Sequence, residues 1–224
     1  METPNLTADI AYRLREGLSR IATVLRADDW ARAAVISLNP AQLAILELLA
    51  GRSEGVGVKA VAFQLGVSQP SATDSIAALE KKGMVAKYAD AGDRRIVLVR
   101  ATAKGRAALK SAGAVPGAAQ LAAAALPADR QADLLGNVIA IIRQLQEAGA
   151  IPVQRMCVSC RHFAPNAHGT NAARPHHCRL VDMALGDADL RVDCREHEAA
   201  DPAVRAANWK NFEKKRPPPA RADI

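Results

Sequence analysis

The 224-residue sequence predicts a mainly α fold of α+β type, followed by a small, irregular module at its C-terminal end. Apolar residues recur at helical spacing through most of the first 148 residues, and the period switches once, between residues 84 and 100, to that of extended chain. All four cysteines and all five histidines fall beyond residue 150, which marks the second module.

Half of the residues are apolar, enough to fill a core, and no apolar run approaches the roughly 18 residues of a spanning helix. Membrane insertion is therefore not expected. Lys and Arg number 30 against 23 Asp and Glu, a net charge of +7, which raises the expectation of a polyanionic partner. The excess is local: residues 51–110 hold 11 basic and 5 acidic side chains, while residues 1–50 and 111–150 together hold 7 and 9. The opening METPNLTADI lacks the charged and apolar regions of an export signal, so a cytoplasmic location is expected. There disulfides are disfavoured, which leaves the cysteines as buried thiols, reactive thiols or metal ligands.

Leu6, Ile10, Leu14, Leu18, Ile21 and Leu25 form the apolar stripe of a first amphipathic helix. Asn39 caps a second helix with Pro40 at its first position; Leu43, Leu46 and Leu49 line its buried face, and Gly51 ends it. A short third helix from Val58 to Leu65 stops at Gly66. Ser68 then caps a helix from Gln69 to Lys82 that turns Ala72, Ile76 and Leu79 inward. Met84–Tyr88 and Arg94–Arg100 read as the strands of a hairpin turning through 89–93. Thr102 caps a helix from Ala103 to Ala112, and Pro127 breaks or kinks a longer helical region from Pro116 to Ala148. Its stripe of Leu134, Leu135, Val138, Ile141, Ile142 and Leu145 needs a partner surface.

Two short helices joined at Leu65-Gly66-Val67-Ser68 and followed by a hairpin with a basic tip are in the order of a winged helix-turn-helix. The second of these helices offers short hydrogen-bonding groups at its start, with Ser68, Gln69, Ser71 and Thr73 placed to meet base edges. Arg94 and Arg95 at the hairpin tip can reach phosphates or a minor groove, with Asp93 orienting an arginine rather than facing the phosphates.

The run VSQPSATDSIAALEKKGMVAKYADAGDRRIVLVRATAKGRAAL resembles the MarR family of bacterial transcription regulators. The resemblance rests on Leu79-Glu80-Lys81-Lys82-Gly83-Met84-Val85, the Asp93-Arg94-Arg95 wing and the Thr102-Ala103-Lys104-Gly105 helix start, and extends over roughly residues 5–148. It implies a homodimer built by N- and C-terminal dimerisation helices, a palindromic operator in double-stranded DNA, repression as the commonest role, and a small aromatic effector whose pocket the seven aromatic residues do not trace. The sequence departs from the family in having Asp74, and no Arg or Lys, between Ser68 and Leu79. Base readout then rests on Gln69, Ser71 and Thr73, with most of the affinity from the wing.

Gly149 and Pro152 mark the expected boundary, giving a winged-helix domain over 1–149, a cysteine-rich module over 150–213 and a basic, Pro-rich tail over 214–224 expected to be disordered. Cys157-Val-Ser-Cys160 places two thiolates on one turn, and Cys178 and Cys194 complete a four-ligand set suited to tetrahedral Zn or to an iron–sulfur cluster. Zn is preferred because the segment has few apolar residues and metal binding would supply folding free energy. His162, His176 or His177 can replace a thiolate or bond to a sulfur, whereas His197 reads as a surface residue. Arg161, Arg179, Arg191 and Arg195 offset the thiolate charge. Asp201-Pro202 opens a last helix in which Val204, Asn208, Trp209 and Phe212 dock.

The expected function is therefore a dimeric DNA-binding regulator, not an enzyme, whose metal centre is structural or senses redox or metal state. One alternative is an iron–sulfur redox or iron sensor of the same fold, and another is a protein-interaction scaffold that does not bind DNA. A catalytic Zn is disfavoured because four cysteines close the coordination sphere, and no phosphate-binding glycine loop is present.

Overall fold

The structure is a computed structural model that describes residues 6–90, 92–114, 116–169 and 173–214. Internal contacts divide the chain into two units, residues 1–126 and 127–224. The division falls at Pro127, earlier than the boundary expected at Gly149, because the helix after Pro127 packs its inner face into the cysteine-bearing unit. Apart from Lys214, the basic tail lies outside the described residues.

The first unit runs α1 (Leu6–Val35), α2 (Pro40–Ala50), β1 (Val56–Gly57), α3 (Val58–Leu65), α4 (Gln69–Lys81), β2 (Val85–Ala89), β3 (Val97–Ala101), α5 (Ala103–Ala112) and α6 (Ala118–Ala124). α1 continues past the apolar stripe that ended at Leu25, and its Ala33 is fully buried. α2 is the hub: Leu43, Ile45, Leu46 and Leu49 are all buried, and the Asn39 side chain accepts from the Gln42 N–H as the N-cap. The antiparallel sheet has the order β1-β3-β2, with Val56 opposite Val99 and Val85 opposite Ala101. β1, only two residues long, was too short to show an alternating pattern in the sequence. The structure also corrects the hairpin: Arg94, Arg95 and Ile96 belong to the turn, and β3 begins at Val97.

The second unit holds α7 (Ala128–Glu147), a 3-10 turn at Cys157–Ser159, strands β4 (Phe163–Ala164), β5 (His176–Cys178) and β6 (Met183–Leu185), a second 3-10 turn at Asp187–Asp189, and α8 (Pro202–Glu213). The strands pair antiparallel in the order β4-β5-β6, with Phe163 opposite Cys178. Ile139, Met156, Val158, Phe163, Trp209 and Phe212 pack into a core of their own. The reason given for a stapling metal, too few apolar residues, therefore holds for the cysteine segment but not for the unit, to which α7 and α8 contribute apolar faces. Of the residues expected to dock from α8, Trp209 and Phe212 are buried and Asn208 donates to the Phe163 carbonyl, while Val204 stays exposed. Among the described residues no single helix is long and apolar enough to cross a membrane.

Candidate functional site

α4 is held from behind. Ala72, Ile76 and Leu79 are fully buried, Glu80 pairs with Lys87 of β2 at 2.7 Å, and Lys82 Nζ donates to the Ser37 carbonyl at 2.6 Å. Gly66 ends α3 in the left-handed conformation (φ 63°), where a glycine carries no Cβ penalty, and so sets the turn between the two helices. The Ser68 side chain accepts from the Ser71 N–H as the N-cap of α4, which presents this N-terminus outward with Gln69, Ser71 and Thr73 all exposed. Thr73 Oγ1 donates to the Gln69 carbonyl at 2.9 Å. Asp74 and Ala77 are exposed as well. Ala77 was not among the expected contacts, although its spacing of four from Thr73 and eight from Gln69 places it on the same ridge.

The wing tip is ordered by two carboxylates. Asp90 Oδ1 accepts from the backbone N–H groups of Gly92 and Asp93, and Asp93 Oδ1 accepts from the backbone N–H of Arg95. Arg95 closes a two-pronged pair, its Nε donating to Asp93 Oδ1 at 3.0 Å and its Nη2 to Oδ2 at 2.9 Å. The Arg95 hydrogen bonds hold the Asp93 carboxyl below the usual carboxylate range. Asp93 thus orients an arginine, as expected, and the Arg95 side chain remains 90% exposed. Arg94 is exposed and makes no side-chain bond to the described residues. Behind the tip, the Arg100 guanidinium lies 5.2 Å from the Tyr88 ring centroid.

In the second unit the four thiols share one neighbourhood. Burial pushes the Cys157 thiol up, the Arg191 N–H bonded to its sulfur opposes that shift, and the thiols of Cys194, Cys160 and Cys178 each add to the rise. The Cys157–Cys160 turn is closed by Cys160 N–H donating to the Cys157 carbonyl, and Cys194 N–H donates to the Arg155 carbonyl. The Arg191 N–H reaches Cys157 Sγ at 3.3 Å, and Arg191 Nη1 lies 3.8 Å from Cys194 Sγ. No sequence signal announces the first of these, since its partners are 34 residues apart. All four cysteines are free thiols, and among the described residues no group of three or more His, Cys, Asp or Glu stands in the arrangement that holds a metal ion.

The histidines expected near the cysteines have carboxylate or histidine partners: His162 with Glu198, His176 with Asp187, and His177 with Asp182 and His168. His197 is not a surface residue: it is half-buried and bonded to the buried Ser159 hydroxyl at 2.9 Å, and burial holds it below the ordinary imidazole range. Of the four arginines, Arg191 approaches the sulfurs and Arg161 pairs with Glu198.

A family model described as the MarR family matches residues 38–97, from the residue before the N-cap of α2 to the first residue of β3. Solved structures similar to the chain include CouR from Rhodococcus jostii RHA1 bound to p-coumaroyl-CoA, 24% identical over 67% of this chain and 98% of that one, with a TM-score of 0.49. A MarR family protein of Mycobacterium tuberculosis in complex with salicylic acid is 28% identical over 55% and 92%, with a TM-score of 0.45. A MepR variant from S. aureus bound to an oligodeoxyribonucleotide is 18% identical over 61% and 98%, with a TM-score of 0.40. Comparison with curated proteins gives no match.

Proposed function

We propose that this chain is a sequence-specific transcription regulator of the MarR kind, a repressor rather than an enzyme, that binds palindromic double-stranded DNA as a homodimer. The observation that carries the reading is one winged unit with two DNA-suited features. It presents the polar N-terminus of a helix anchored by three fully buried residues, and a wing tip bearing Arg94 and Arg95. The family model covers these same elements.

Two exposed seams support the dimer. Leu14, Leu18, Ile21 and Leu25 of α1 recur at intervals of four, three and four, and all are between 48% and 60% exposed. Leu134, Val138, Ile141 and Leu145 of α7 repeat those intervals at 36% to 47% exposure. This is the spacing of knobs that insert between the residues of a facing helix, and a second copy would cover it.

For the second unit we propose a metal centre on Cys157, Cys160, Cys178 and Cys194. It is supported by the chemistry of the donor set, with Cys157 and Cys160 on one turn, and by the Arg191 N–H and guanidinium directed at two of the sulfurs. Bound Zn would act as a structural cross-link, whereas an iron–sulfur cluster would make the unit redox-sensitive. The four cysteines would supply the thiolates, and Arg191 the donors that stabilise their charge.

The DNA reading is tested by incubating the full chain with fragmented genomic DNA in excess heparin. A discrete set of retained fragments is expected, and no retention beyond the heparin background contradicts it. The metal centre is tested by anaerobic purification with Zn and Fe analysis and a visible spectrum. Stoichiometric Zn or several Fe per chain is expected, and a folded protein with neither overturns the centre.

A further inference from the structure

We propose that the first turns of α4 read adenine and the 5-methyl groups of thymine, with a cytosine opposite Asp74, and that they do not read guanine. The inference rests on the DNA-binding reading above. Gln69, Thr73 and Ala77 form an exposed ridge at intervals of four, away from the buried Ala72, Ile76 and Leu79.

Bonds within the turn decide what each side chain has left to offer. Ser68 Oγ and Ser71 Oγ lie 2.8 Å apart, and Ser68 Oγ also accepts from the Ser71 N–H, so the two hydroxyls are engaged with one another. Thr73 spends its hydroxyl proton on the Gln69 carbonyl, which leaves its methyl group for contact and its oxygen only as an acceptor. The Gln69 carboxamide makes no bond to any described residue, so it keeps the donor and acceptor that together match adenine N6 and N7. Ala77 adds a second methyl on the same ridge, and methyl groups suit the 5-methyl of thymine.

Guanine presents two acceptors in the major groove, and Arg or Lys is the side chain that satisfies them. None occurs from Ser68 through Leu79. Asp74 is exposed and, when ionised, only accepts. The cytosine amino group is its match, while guanine O6 and N7 repel it.

The test selects the full chain against a random duplex pool, then measures binding to the enriched duplex with thymines replaced by uracil, and binding of the Gln69→Ala variant. The Gln69 side chain is exposed and makes no bond to a described residue, and alanine keeps the backbone carbonyl that Thr73 bonds, so the variant is expected to fold. The expected outcome is half-sites of A·T pairs with one C·G pair, about threefold weaker binding for each contacted thymine replaced by uracil, and about tenfold less discrimination at a single A·T pair in Gln69→Ala. Guanine-centred half-sites, or affinity unmoved by uracil, overturn the inference while DNA binding stands. A pool from which nothing is enriched or bound overturns both.

Discussion

A Cβ added at Gly105 would come within 2.2 Å of the Met84 carbonyl oxygen and 2.9 Å of Leu46 Cδ1, so α5 can approach the end of the α4 segment only with glycine there. Gly105→Ala should destabilise the winged unit by about 3 kcal/mol, read as a shifted urea midpoint with unchanged slope. A variant as stable as the native chain would show that the backbone yields at no cost. At the wing, Asp93 has a folded pKa below its unfolded value because Arg95 bonds it. The order it gives is present above the unfolded value of about 3.9 and is lost as pH falls through the lower folded value. An NMR titration of Asp93 should show its midpoint below the ordinary carboxylate, and Arg95→Ala should raise it part of the way back, since the backbone N–H at position 95 still donates to the carboxylate; an unmoved midpoint in that variant contradicts the side-chain pairing.

Caps and periods made most elements legible from sequence. Asn39, Ser68, Thr102 and Asp201 all cap the helices they were expected to open, because a short side-chain oxygen before a helix reaches the unpaired N–H groups of the first turn by local geometry alone. Thr102 does more than cap: it accepts from the Gly105 N–H at 3.1 Å and donates to the Gly83 carbonyl at 2.8 Å, tying α5 to the turn after α4. Thr102→Ala is expected to cost about 1–2 kcal/mol, whereas Thr102→Ser keeps most of it, by thermal unfolding. Equal losses in the two variants would contradict the hydroxyl's role. What escaped the sequence was non-local. β1 exists through its pairing with β3, and His197 is drawn inward by a serine 38 residues away. The candidate readers of α4 were legible because they cluster at one helix start. The bonds that leave Gln69 free and spend the Thr73 hydroxyl were not.

At the scale of the molecule, the apolar seams on α1 and α7 are exposed, and the two units each hold a core of their own. Replacing Leu18 and Ile21 together by Glu should convert a dimer to a monomer in sedimentation equilibrium and lower affinity for a two-half-site duplex by at least tenfold, since the halves no longer bind as one. An unchanged dimer would place the interface elsewhere. The most direct test of the central claim, that the winged unit grips DNA through its helix and wing, is the salt dependence of duplex affinity for the native chain and for the Arg94→Ala, Arg95→Ala variant. With the fold verified by circular dichroism, the variant should bind more weakly and its slope of log affinity against log salt should be shallower by about 2 per protomer, one for each lost phosphate contact. Identical affinity and slope in the two proteins would contradict the claim.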